Sequence, residues 1–153
     1  MALLFSFFIG FFGGMRSLTP AAITAWAIHF GWLNPTRPLS LIGSWPAVII
    51  FTLLAVAELV ADKFARTPPR TAPPGFIARI VMGALTGACF ASSNGNAILL
   101  GAILGIAGAI AGTFVGFKIR TGIVTALQIP DFPVALMEDL IAIGGSLLLV
   151  APR

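Results

Sequence analysis

The sequence has no tyrosine, one cysteine, one histidine and only five acidic residues. A lone cysteine excludes an intrachain disulfide, and a lone histidine, His29, gives little support to a histidine-cluster metal site or a Ser-His-Asp triad. The phosphate-binding Gly-x-x-x-x-Gly-Lys and the metalloprotease His-Glu-x-x-His motifs are also missing from the sequence. We therefore expect no enzyme, and no catalytic residue, metal site or cofactor.

Charge is scarce and apolar residues are abundant. Charged residues make up 9% of the 153 positions and hydrophobic residues 58%, with a mean hydropathy of +1.03. An ordinary soluble domain has about 25% charged residues. The composition predicts an all-α integral membrane protein that forms one domain over residues 1–153. We expect it in the cytoplasmic (inner) membrane.

Apolar blocks bounded by proline, glycine and charge divide the chain into segments. Their approximate ranges are 2–31, 44–61, 76–92, 97–117 and 133–150. A helix needs about 20 apolar residues to cross the bilayer, so the last four segments fit one crossing each. The sequence predicts a polytopic helical bundle with about five transmembrane segments.

The first segment is too long for one crossing and is interrupted near Gly13–Pro20. Lipid cannot solvate broken backbone, so such a step persists only inside protein or beside a water-lined cavity. Thr19-Pro20 reads as a helix N-cap followed by a proline at the first helical position, which predicts that a second half-helix begins there. The segment is either one broken span or a re-entrant hairpin. Arg16, at this step, marks a candidate binding site.

Basic residues predict the orientation. Two connections carry most of them, namely Lys63, Arg66, Arg70 and Arg79 near 62–79, and Lys118 and Arg120 near 118–131. The opposite side carries Arg37 and Arg153. The positive-inside rule predicts that the two basic connections are cytoplasmic and that the C-terminus is outside. The net charge of +4 is then mainly a topology signal, and we expect no nucleic-acid partner.

The predicted topology places all five acidic residues in the cytoplasmic half: Glu58, Asp62, Asp131, Glu138 and Asp139. We expect Arg16, Ser17, Thr19, Glu58 and Glu138 to bind a substrate, with Asp62 and Asp139 as coupling or ion-pairing groups. Glu138 and Asp139 are adjacent and point about 100° apart, so they cannot both face one partner. The alternative is that these charges are structural ion pairs and interfacial groups.

Glycines recur every three or four residues in the fourth segment, at Gly101, Gly105, Gly108, Gly112 and Gly116. Such spacing lets helix backbones approach closely, so we predict a helix-packing face. A weak internal repeat also relates Gly14-x-Arg16 to Gly116-x-Lys118, and Trp45-Pro46 to Phe132-Pro133. Three crossings separate the copies, which predicts an inverted repeat, although chance resemblance is an equal alternative.

Several motifs together resemble a known family. They are Gly14-Met-Arg-Ser-Leu-Thr-Pro20, Ala57-Glu-Leu-Val-Ala-Asp-Lys63 with Arg66-Thr-Pro68 and Arg70-Thr71, the glycine-rich segment, and Asp131-Phe-Pro-Val-Ala-Leu-Met-Glu-Asp139. The chain resembles, over nearly its whole length, the bacterial membrane proteins grouped as domain of unknown function 4126. This resemblance implies class and location, and it brings no activity, substrate or site residue.

Three functions from different classes follow from these patterns. The first is a small transporter or flippase-like carrier, a homo-oligomer in contact with membrane lipid, that binds a small anionic substrate or a lipid phosphate at the broken helix. The second is a structural or assembly protein whose charges pin helices together. The third, ranked last, is a membrane enzyme acting on lipid.

Overall fold

The computed structural model describes residues 1–63 and 72–152, and this part of the chain is helical. The α-helices are α1 (Ala2–Met15), α2 (Leu18–His29), α3 (Trp45–Ala61), α4 (Pro73–Ser93), α5 (Ile98–Leu127) and α6 (Asp131–Val150). A short 3₁₀ helix, Leu39–Gly43, precedes α3. Prolines open α3 and α4 within the first two positions, where the missing N–H costs no helical hydrogen bond.

The first apolar segment contains two helices, and it turns back on itself between them. Helix α1 ends at Met15 and α2 begins at Leu18. Ile9 of α1 and Ala27 of α2 lie in one buried cluster with Leu33, Phe90 and Val150. In a continuous helix these two residues would be about 27 Å apart. The pair therefore forms a hairpin, the tip of which is Arg16-Ser17.

The remaining helices alternate in direction, so that polar groups gather at one end of the bundle. Arg16 contacts Asp62 after α3 and Asp139 in α6, and Arg120 of α5 contacts Asp131 at the start of α6. We call this the charged end. At the opposite, aromatic end, the ring of Trp45 packs against the rings of Trp26 and His29. Both arms of the hairpin point their free ends toward the aromatic end.

Helix α5 is the centre of the packing, and its glycines lie against two different neighbours. A Cβ on Gly101 or Gly105 would overlap the backbone of α4 at Gly87 or Gly83. A Cβ on Gly108 or Gly112 would overlap the backbone of α1 at Phe7 or Phe11. Gly116 is also buried. Helices α1, α4 and α5 therefore approach one another backbone to backbone, a geometry that only glycine permits.

Three of the described helices are long and apolar enough to cross a membrane, namely α4, α5 and α6. Helices α1 and α3 are apolar but shorter. Each arm of the hairpin is about 20 Å long at 1.5 Å per residue, less than the roughly 30 Å of the hydrocarbon core. The chain is thus a helical membrane protein, and the figure of five crossings stays a prediction.

Two predicted boundaries differ from the structure. Thr19-Pro20 does not open α2; Ser17 is the N-cap, and Leu18, Thr19 and Pro20 form the first turn, where proline is equally well tolerated. Helix α5 runs on to Leu127 through the region read as a connection from 118 to 131. It stops at Gln128, which has a left-handed φ of 50°, shortly before Pro130.

The two copies of the suggested repeat run in opposite directions. Helix α2 runs toward the aromatic end and α3 toward the charged end. Helix α5 runs toward the charged end and α6 toward the aromatic end. Gly14 precedes the hairpin tip, whereas Gly116 lies inside a continuous helix. Opposite direction agrees with an inverted repeat, which itself stays a prediction.

Candidate functional site at the hairpin tip

The tip of the hairpin places an arginine inside the protein. Arg16 is only 1% exposed, and its Nη1 lies 2.9 Å from Asp62 Oδ2. Its Nη2 is paired with Asp139 Oδ1, and Asp139 Oδ2 accepts a 2.8 Å hydrogen bond from Lys63 Nζ. The Arg16 Nε has no hydrogen-bond partner in residues 1–63 and 72–152. One buried cation therefore ties the tip to the end of α3 and to the middle of α6.

Directly after Arg16, the first amides of α2 bind a carboxylate. Glu58 Oε1 accepts hydrogen bonds from the Ser17 backbone N–H at 2.9 Å and from Ser17 Oγ at 2.6 Å. Glu58 Oε2 accepts a third from the Leu18 N–H at 2.8 Å. The N-terminus of a helix is an anion-binding position because its amides are unpaired and its dipole is positive there. Here the protein's own glutamate lies in that position.

Arg120 joins the remaining acidic residues. Its Nη1 donates to Asp62 Oδ2 at 2.7 Å and lies 3.5 Å from Glu138 Oε2. Its Nε donates to Asp131 Oδ1 at 2.7 Å, and its Nη2 pairs with Asp131 Oδ2, so the guanidinium binds this carboxylate through two donors. Asp131 is 57% exposed, whereas Glu138 is 6% exposed. Arg120 thus connects the buried charges to the surface of the charged end.

Seven of these charged groups form one ion cluster: Arg16, Asp62, Lys63, Arg120, Asp131, Glu138 and Asp139. Glu58 lies beside the cluster, bound to the amides that follow Arg16. The ion cluster and Glu58 together account for all five acidic residues of the sequence. Ion pairs buried among apolar helices are costly to desolvate, so their concentration at a helix break marks a functional-site candidate.

An apolar cavity of about 300 Å³ lies beside the ion cluster, between α5 and α6. Met15, the residue before Arg16, is part of its lining, and Arg120 and Glu138 are the two charged residues on its wall. The other walls are apolar and include Ile119, Ile123, Leu127, Met137 and Ile141. The volume lies at the lower end of the range for small-molecule sites.

The predicted site residues are near one another, but their pairing differs from the simplest expectation. Arg16 pairs with Asp62 and Asp139 rather than with Glu58 or Glu138. Glu58 contacts the tip at Ser17, and Glu138 lies near Arg120 of α5. Glu138 and Asp139 do face different partners, as their spacing requires. Thr19 is buried in the first turn of α2, and its hydroxyl has no hydrogen-bond partner in the described part of the chain.

Two members of the ion cluster, Lys63 and Arg120, are absent from the site residues predicted from the sequence. Lys63 is expected beside Glu58 and Asp62, and Arg120 serves only to predict the topology. Arg120 pairs with Asp62, 58 residues away along the chain, and no local pattern announces that contact. Arg66, Arg70 and Arg153, which also entered the orientation argument, lie outside the described residues. Among residues 1–63 and 72–152, no group of His, Cys, Asp and Glu is arranged to hold a metal ion.

The fold and the ion cluster define a helical integral membrane protein with a charged site at the tip of a helix hairpin. The profile of the domain of unknown function 4126 matches residues 3–152, and the chain belongs to this family. That match confirms the resemblance seen in the sequence. No curated protein and no solved structure matches the chain.

Proposed function

We propose that the protein is a small membrane transporter or flippase-like carrier that binds an anionic substrate at the hairpin tip. One observation carries the proposal: a carboxylate, Glu58, already lies on the α2 N-terminus and accepts three hydrogen bonds there. This position is built for an anion, and Glu58 reaches it from a separate helix. A substrate anion can therefore replace Glu58 when α3 moves away from α2.

Arg16 supports the same reading. It lies next to the anion position, is almost fully buried, and keeps one donor, Nε, without a hydrogen-bond partner in the described residues. An arginine bound to carboxylates also binds phosphate or carboxylate groups of a ligand, because its planar donors suit both. Exchange of Glu58 for substrate would leave the Arg16 ion pairs in place.

The protein's placement in the membrane is part of the proposal. We propose that it spans the inner membrane as an oligomer, with the charged end cytoplasmic and the aromatic end outside. The basic residues at the charged end and the tryptophans at the opposite end support this orientation. In this arrangement the hairpin enters from the outside and returns, and its tip carries the site toward the cytoplasmic half.

A structural role is the second candidate, and the closed ion pairs favour it. Arg16, Lys63 and Arg120 each contact at least one carboxylate, so the ion cluster can pin α2, α3, α5 and α6 without any ligand. A membrane enzyme acting on lipid remains the third prediction. The carrier and the structural protein differ in one respect: only the carrier must release an internal anion to take up another.

Native mass spectrometry of the protein released from lipid nanodiscs tests the carrier. The informative variants are Glu58→Ala, which vacates the anion position, and Arg16→Met/Asp139→Asn, which removes one charge of each sign. We expect wild type to retain an anionic lipid or metabolite, Glu58→Ala to retain more of it, and the double variant to lose it. Arg37→Met, an exposed arginine at the aromatic end, is the control. Equal adducts on all four proteins would contradict the carrier and favour the structural role.

A further inference from the structure

We propose that the cavity between α5 and α6 binds the alkyl chain of a single-chain amphiphile whose anionic head group lies on Arg120. This inference goes beyond the proposed function, because it assigns a second anion position, at Arg120, to a ligand of stated class. The cavity and the hairpin tip are neighbours, because Met15 lines the cavity and Arg16 follows it in the chain. An amphiphile bound here would touch both.

The cavity walls select an apolar group. Apart from Arg120 and Glu138, the lining side chains named above are apolar, and Gly116 leaves room beside them. Helix α6 packs against α1 and α2 more than against α5, so a gap remains between α5 and α6 toward the charged end. A volume of about 300 Å³ suits one flexible chain better than a two-chain lipid, since ligand pockets begin near this size.

The head group is assigned by the geometry of Arg120. Its Nε and Nη2 face Asp131 together, which is the two-donor edge that binds phosphate or carboxylate. Asp131 is the first residue of α6 and is 57% exposed, so it can turn into water and leave that edge to a ligand. Nη1 would keep its 2.7 Å bond to Asp62 and hold the guanidinium in place. Asp131 at Arg120 thus corresponds to Glu58 at the α2 N-terminus. Each is an internal anion that a ligand replaces.

The probes separate the chain from the head group. Dodecyl phosphate has both the alkyl chain and the anionic head group. Inorganic phosphate has only the head group, and dodecyltrimethylammonium has the same chain with a head group of opposite charge. Binding to the full-length protein is titrated by native mass spectrometry in a neutral detergent. Partition of the probe into micelles is the same for every variant and cancels in ratios.

Three variants give the expected pattern. Met137→Trp places a larger side chain in the cavity lining. It should weaken the binding of dodecyl phosphate about tenfold, because the alkyl chain loses its apolar contacts. Leu148→Trp, an equally apolar and 71% exposed position of the same helix outside the cavity, should leave binding unchanged. Asp131→Asn frees the Arg120 edge and should strengthen binding roughly threefold to tenfold.

Each contrary result overturns the inference. Wild-type affinity in Met137→Trp would show that the chain lies elsewhere, and equal binding of dodecyltrimethylammonium would contradict an anionic head group. Full competition by inorganic phosphate at the same concentration would show that no chain is needed. In a further contrary result, wild type fails to bind dodecyl phosphate and still retains an anion that the Arg16→Met/Asp139→Asn variant loses. That result would overturn this inference alone.

Discussion

Removing the Arg16 charge should destabilise the protein more than removing Arg16 and one of its partners together. Arg16 is 1% exposed and Asp139 is 7% exposed, so Arg16→Met leaves a buried carboxylate short of one cation. Breaking such a pair costs about 3–5 kcal/mol. Lys63 still pairs with Asp139 and Arg120 with Asp62, which places the expected loss near 3 kcal/mol, the lower end of that range.

The double variant Arg16→Met/Asp139→Asn removes one positive and one negative charge. Because no buried carboxylate is then left uncompensated, we expect it to recover more than half of the lost stability, about 2 kcal/mol. Arg37→Met, at an exposed position, should change the free energy of unfolding by less than about 0.5 kcal/mol.

Cys89 offers a direct assay of this prediction. It is the single cysteine and is fully buried, so a thiol-reactive dye labels it only when the helices separate. Labelling against denaturant concentration gives the free energy of unfolding for each variant in the same detergent. The reasoning is refuted if Arg16→Met is as stable as wild type, or if the double variant is less stable than Arg16→Met.

Three further predictions use the same assay. Gly112→Leu should lower the free energy of unfolding by about 3 kcal/mol or more, because the new side chain would overlap the α1 backbone at Phe11. The control Gly122→Leu, at a position that faces open space, should be nearly neutral. Equal costs for the two variants would contradict the backbone contact. Glu58→Ala should cost about 2 kcal/mol through the three lost hydrogen bonds to the α2 N-terminus, and an unchanged stability would show that Glu58 does not bind there. Thr113→Val should cost about 0.6 kcal/mol by removing a hydroxyl whose single hydrogen is shared between the Gly14 carbonyl at 3.1 Å and the Ala109 carbonyl of its own helix at 2.8 Å, so a gain in stability would argue against the bond to Gly14.

The break in the first segment and the position of the acidic residues could be predicted from the sequence. A glycine pair followed by Arg16 and Pro20 cannot continue an ordinary transmembrane helix, and scarce carboxylates in an apolar chain gather where other charges are. The direction of the chain after the break could not be predicted. It depends on contacts such as Ile9 with Ala27, which local propensity does not encode.

The partners in the site were harder to predict than its members. Glu58 and Asp62 lie one helical turn apart, yet one binds the α2 amides and the other binds Arg16 and Arg120. A charge after an apolar run predicts the end of a transmembrane segment, so the sequence places Arg120 in a connection between helices. In the structure α5 continues to Leu127, and Arg120 in this extension contacts Asp62 and Asp131 through its guanidinium.

The most direct test of the carrier is efflux from proteoliposomes loaded with a cell extract of anionic metabolites and lipids. Mass spectrometry of the external medium identifies any compound that leaves. The account predicts that at least one anionic compound leaves vesicles with wild type faster than vesicles with the folded Arg16→Met/Asp139→Asn variant. Identical efflux from both, equal to that of protein-free vesicles, would contradict it.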